Sequence, residues 1–146
     1  MSLAEVRIAM MESLATLSGV DVPQDPLPRE IEDKTIVVFP RIEESSVIAK
    51  GVGRGLSLQT PGAMQVEYHR RVPYEHLGST FGDVSTMIGT ISDLVWKEQA
   101  GGKFDGTVLA IRSVALEHFG ALGWNEWTFG ARLVVSFTYL TTITVP

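Results

Sequence analysis

A chain of 146 residues with a net charge of −5 and no cysteine is the size of one domain with a real core, and it excludes disulfides, thiolate metal sites and a cysteine nucleophile. Its acidity, with a pI near 5.1, disfavours tight binding to phosphate backbones, which depends on clustered Lys and Arg. A hydrophobic share of 45% and a mean hydropathy of +0.15 leave apolar surface to hide, which favours an oligomer.

No apolar run approaches the ~20 residues that a bilayer span requires. Glu5, Arg7 and Glu12 interrupt the N-terminal apolar residues, which is not the pattern of a signal peptide, so the cytoplasm is the expected compartment. Ser2 followed by Glu5 has the spacing of a capping box. Leu3, Val6, Met10, Leu14 and Leu17 then form a stripe closed by Gly19, and a helix is predicted over about Leu3 to Ser18. Pro23, Pro26 and Pro28 make Asp21 to Asp33 an extended connection. The run Thr35 to Phe39, ended by Pro40, reads as a buried strand.

From Arg41 to Pro61 the chain carries Gly51, Gly53 and Gly55 and is long for a structureless loop. It either holds a hairpin, Ser46 to Ala49 against Leu56 to Gln59, or is ordered by a partner. Between Met64 and Val72 the alternation is clean: Met64, Val66, Tyr68, Arg70 and Val72 share one face, while Gln65, Glu67, His69 and Arg71 form a polar face, as in a half-exposed strand. Thr80 to Gln99 is the longest helix signal. Phe81, Val84, Ile88, Ile91 and Val95 recur at helical spacing with Met87 and Leu94 widening the stripe, and Asp83, Ser85, Thr86, Thr90, Asp93 and Lys97 lie opposite.

Gly101 and Gly102 stop that helix. Thr107 to Phe119, bounded by Gly106 and Gly120, is read as a strand, and Trp127 to about Val145 as a long one with Leu133, Val135, Phe137 and Tyr139 on one face. The order predicts one α+β domain over residues 1–146, with a mainly antiparallel sheet of four to six strands and two helices on one face.

The chemical candidates are weak. Lys50, Arg54 and the three alternate glycines suggest a phosphate loop, but no helix follows them. His69, Glu75 and His76, or His118 with Glu117, lack the spacing that places two imidazoles on one metal ion. Neither a nucleophile elbow nor a conspicuous carboxylate pair occurs, so no catalytic, cofactor or metal residue is assigned. Trp124, Trp127 and Phe129 are the densest aromatic group. They cap one end of the core or anchor a subunit contact.

Taken in order, the short N-terminal helix, the Pro-punctuated acidic link, the strand Thr35 to Phe39, a loop, the strand Gly62-Ala-Met-Gln-Val-Glu-Tyr-His, the helix with a Gly-Gly end, and two closing strands finishing in Ala131-Arg-Leu-Val-Val-Ser-Phe-Thr-Tyr resemble the tail terminator, or tail-completion, proteins of long-tailed bacteriophages. The resemblance implies a non-enzymatic structural protein of the virion neck, assembled in the host cytoplasm without a cofactor or membrane. It implies a ring, typically a homohexamer, that caps the major tail tube protein and joins it to the head-tail connector or stopper. DNA would pass through the lumen without specific binding, and an acidic lumen would not retain it. The expected contact residues are Val47, Ile48, Lys50, Val52, Arg54 and Leu56 of the long loop, with Trp124 and Trp127. Another neck component, such as a head-completion or stopper protein, and a small ligand-binding or enzymatic α+β domain are the alternatives.

Overall fold

The computed structural model describes residues 2–24, 31–41, 50–51, 57–71, 77–122 and 128–142. In chain order the elements are α1 (Leu3–Leu14), β1 (Thr35–Pro40), β2 (Lys50–Gly51), β3 (Ser57–Arg71), α2 (Leu77–Ala100), the single turn α3 (Lys103–Gly106), β4 (Ala110–Ala121) and β5 (Thr128–Thr142). The strands form one antiparallel sheet in the order β1-β3-β5-β4, with β2 also paired to β3. This is the expected α+β class.

The capping box forms at α1, where Ser2 Oγ accepts the Glu5 N–H at 3.2 Å and meets Glu5 Oε1 at 3.4 Å. The helix ends at Leu14, earlier than predicted, because the chain tightens into turns with Thr16 and Leu17 N–H donating three residues back. Gly19, at φ +74°, then takes the left-handed conformation its position demands. Gly62 lets the start of α1 descend onto the sheet, since a Cβ there would stand 2.9 Å from the Phe137 ring and 3.1 Å from Leu3.

Both helices pack on the same sheet face. Val6, Met10 and Leu14 of α1 and Val84, Ile91 and Val95 of α2 join Ile36, Val38, Met64, Val66, Leu133, Val135 and Phe137 in one core. All these residues are almost inaccessible, and full burial of such a side chain contributes about 1.5–3 kcal/mol. The predicted α2 stripe is correct along most of its length. Phe81 departs from it, being 44% exposed, because it lies over the sheet margin and packs edge-on to Phe129 and stacked on Phe119. Helix α2 begins at Leu77, three residues before the predicted Thr80, which is buried inside it.

Several boundaries move. The predicted strand over Thr107 to Phe119 starts at Ala110, because α3 and the residues after it form a turn. Lys103, Phe104 and Asp105 have φ of 50°, 50° and 57°, a left-handed course that costs roughly 1–2 kcal/mol per residue outside glycine. Burial of Phe104 offsets part of it, and Glu98 holds the geometry by accepting the Phe104 N–H at 2.9 Å and the Ser13 hydroxyl at 3.0 Å. Strand β3 begins at Ser57, well before Met64, and Lys50–Gly51 pairs with Leu58 and Gln59. Ser46 to Ala49, one arm of the expected hairpin, lie outside the described residues.

Candidate functional site

Of the residues expected to make assembly contacts, Val47, Ile48, Val52, Arg54, Leu56, Trp124 and Trp127 lie outside the described residues. Lys50 is placed through its backbone, opposite Gln59. Glu75 and His76 are likewise outside them. Four other regions are defined.

The sheet face turned away from the helices carries the polar residues of β3, and part of it is not exposed. Glu67 and His69 are 1% and 0% accessible, which corrects the half-exposed polar face expected from alternation. Residues 65, 67 and 69 project to the same side of the strand, and Glu67 sits opposite Arg132 of β5. Its carboxylate accepts Arg132 Nε at 2.6 Å and Gln65 Nε2 at 3.0 Å, and lies 3.2 Å from His69 Nε2. The chain of charges continues outward, since Arg132 Nη1 is 3.6 Å from Glu117 Oε1 and Glu117 also binds Arg41. The Glu67 hydrogen bond raises the pKa of Arg132.

The acid and the imidazole thus meet at hydrogen-bond distance while almost inaccessible to solvent. The network ties β3 to β5 and to β4. Glu117 therefore faces Arg41 and Arg132, while the His118 ring meets the Ala121 carbonyl at 2.7 Å. Among the described residues, no three His, Asp or Glu side chains converge as metal ligands.

On the opposite face of the same stretch of β3, Arg70 clasps Asp33 Oδ1 at 2.8 Å and Asp83 Oδ2 at 2.6 Å, and the Tyr68 hydroxyl donates to the same Asp83 oxygen at 2.7 Å. Burial and then the Asp83 bond push the Tyr68 phenol well above its ordinary pKa. For Asp33, burial acts to raise the pKa, yet hydrogen bonds from Arg70, Arg71 and Lys34 outweigh it and hold the carboxyl below its usual value. Arg70 is thus committed to ion pairs within the chain.

Between α1, α2 and α3 lies an open cleft of about 680 Å³, edged by Glu12, Asp93, Lys97, Glu98 and Asp105. On the other flank of α2 the surface is apolar. Phe81, Trp96, Leu109, Leu116 and Phe119 are each 38–51% exposed, and apart from Ile8 of α1 they are the large hydrophobic side chains that stand out among the described residues. Leu116 and Phe119 belong to β4, the edge strand. Sequence periodicity placed Phe81 in the core and passed over Trp96 and Leu116 as possible contact residues. The available signal is the uncharged row Phe81, Ser85, Ile88, Ser92, Trp96 and Gln99, spaced three and four apart on one side of α2.

No protein-family model matches the chain, and no curated protein matches it.

Proposed function

We propose that this chain is a non-enzymatic structural protein of a long-tailed phage neck, a tail-terminator subunit that forms a ring, caps the tail tube and meets the head connector. The observation that supports it most is the architecture: an antiparallel sheet with both long helices on one face, in the element order that carries the resemblance. The polar groups that could do chemistry instead hold strands together, as Glu67 does with Arg132. The role rests on contact, and the pairing of Lys50–Gly51 with Leu58 and Gln59 extends the sheet at one end, where it could reach a neighbour or the tube.

Native mass spectrometry and negative-stain microscopy of the purified protein, alone and with polymerised tail-tube protein, test the reading. The expected result is a closed ring, typically of six copies, found at tube ends. A chain that neither closes into rings nor binds tube ends overturns it. Binding to the portal side alone would instead favour another neck component, such as a stopper.

A small ligand-binding domain has one observation in its favour, the cleft beside α3, whose volume lies in the range of about 300–1,000 Å³ typical of ligand sites. Ala9, Leu17, Leu94 and Phe104 give it apolar lining, but the cleft is open to solvent and edged by carboxylates rather than enclosing.

A further inference from the structure

We infer that the flank formed by α2 and the outer edge of β4 is a contact surface for a second copy of this chain. The inference deepens the ring reading and rests on it for the symmetry of the contact, although the surface itself is argued from the fold.

The two margins of the sheet differ. At the β1 margin the backbone is occupied: the Ile36 N–H donates to the Asp21 carbonyl at 2.8 Å, Asp21 pairs with Thr35 in a bridge, and the Val38 carbonyl accepts Arg7 Nε at 2.6 Å. At the other margin β4 runs for 12 residues, and among the described residues no strand lies on its outer side. Edges of that length are normally covered, charged or bent away. Strand β4 has two irregularities, at Arg112 and Glu117, yet it still presents Leu116 at 51% and Phe119 at 38% exposure.

The helix above it is polarised in the same sense. Around α2, Asp83, Asp93 and Lys97 all fall on the side away from β4, whereas the row from Phe81 to Gln99 carries no charge. Both ends of that row are fixed to β4, through the Phe81–Phe119 ring contact and the Gln99 Oε1 that accepts the Ile111 N–H at 2.6 Å. Depletion of charge with retention of aromatics is the composition of an interface core.

The dimensions suit a second copy. A strand of 12 residues at roughly 3.3 Å per residue, with a strip about 20 Å wide from strand edge to outer helix surface, presents on the order of 800 Å². A stable interface needs about 800 Å² from each partner. Because the β1 edge is closed, two copies cannot simply continue one sheet from β4 to β1. In a ring, the flank therefore meets a different surface of the neighbour through side chains, a heterologous contact that can close.

The test compares the full-length wild type with Leu116→Glu, which puts a charge in the strip, and Ile8→Glu, which charges an equally exposed residue on α1. Sedimentation velocity and native mass spectrometry across a concentration series give the oligomeric state, with circular dichroism confirming the fold. Expected is a wild-type ring retained by Ile8→Glu and weakened at least about tenfold by Leu116→Glu. Wild-type pairs dispersed by Leu116→Glu would support the flank and overturn the ring. Rings that Leu116→Glu leaves intact would overturn the flank and spare the ring, and a wild type monomeric throughout would overturn the contact. Should Leu116→Glu misfold, hydrogen exchange on the wild type decides: amides of Arg112 to Gly120 must gain protection as concentration rises, and unchanged protection rejects the proposal.

Discussion

Gly130 offers the sharpest test of how the sheet is assembled. It sits on β5 opposite His69 of β3, in the strand pair that runs the whole length of β3. A Cβ at this position would stand 1.7 Å from the Tyr68 carbonyl oxygen, 2.8 Å from its carbon and 3.0 Å from Leu122 Cδ1. The first two atoms are backbone, so no rotamer change relieves the clash and the strands must part. Overpacking a core usually costs about 1–3 kcal/mol, and obstruction by backbone puts Gly130→Ala at about 3 kcal/mol or more. At about 3 °C per kcal/mol for a domain of this size, the melting temperature should fall by about 10 °C. Gly89→Ala is the matched control: nothing stands within 4 Å of its added Cβ, and removing glycine from a helix interior should stabilise by about 1 kcal/mol. Thermal and urea unfolding followed by circular dichroism measure both. A Gly130→Ala protein within half a kcal/mol of wild type, on the scale of a neutral surface change, would refute this β3–β5 pairing.

Arg132→Met should destabilise by about 2 kcal/mol, below the ~3–5 kcal/mol of a fully buried broken pair, because Arg132 is part-exposed and Gln65 and His69 still serve Glu67. A urea double-mutant cycle with Glu67→Gln should show coupling, and strict additivity would contradict the network. Since Asp33 has a folded pKa below its unfolded value of about 3.9, its contribution is present above that value and lost as pH falls through the folded one. Asp33→Asn should therefore lower stability at neutral pH and flatten the acid limb, and parallel curves for variant and wild type would argue against the clasp. Ile91→Ala, at a fully buried position, should cost about 2–5 kcal/mol by urea unfolding.

What the sequence discloses about the fold follows from how local each signal is. The α1 start is readable because the capping box lies within four residues, and β5 because its inward residues alternate without interruption. The early part of β3 is obscured by Pro61 and Gly62, which look like a turn. Yet Ala63 points its carbonyl to Arg41 on the β1 side, so Pro61, two residues back, turns its missing donor the same way, between the stretches paired with β2 and β1. A local edge tolerates such a proline. Burial of Glu67 was not readable, since it depends on a partner 65 residues away, and alternation cannot distinguish a solvated polar face from a covered one. The left-handed course of α3 was hidden for a similar reason: only its bracketing glycines hint at it, and Glu98 and the core determine it.

If the chain forms the proposed ring, the distribution of charge constrains which side could line its lumen. On the outer sheet face the described charges are largely matched, with Arg41 and Arg132 against Glu67 and Glu117, so that face produces little net field. The helical side is different, because Glu12, Asp93, Glu98 and Asp105 gather around the α1–α2 cleft with Lys97 as the cation among them. A ring that owes a DNA-repelling lumen to its acidity would have to turn its helices inward and its sheet outward. That orientation leaves the α2–β4 flank facing sideways, toward the adjacent subunit, where an uncharged surface belongs. Turning the sheet inward would instead line the passage with paired charges and leave the acidic cleft outside, with no part in passing DNA. The two orientations predict different effects of neutralising Glu12 and Asp93: slower DNA passage with helices inward, and unchanged passage through an intact ring with the sheet inward.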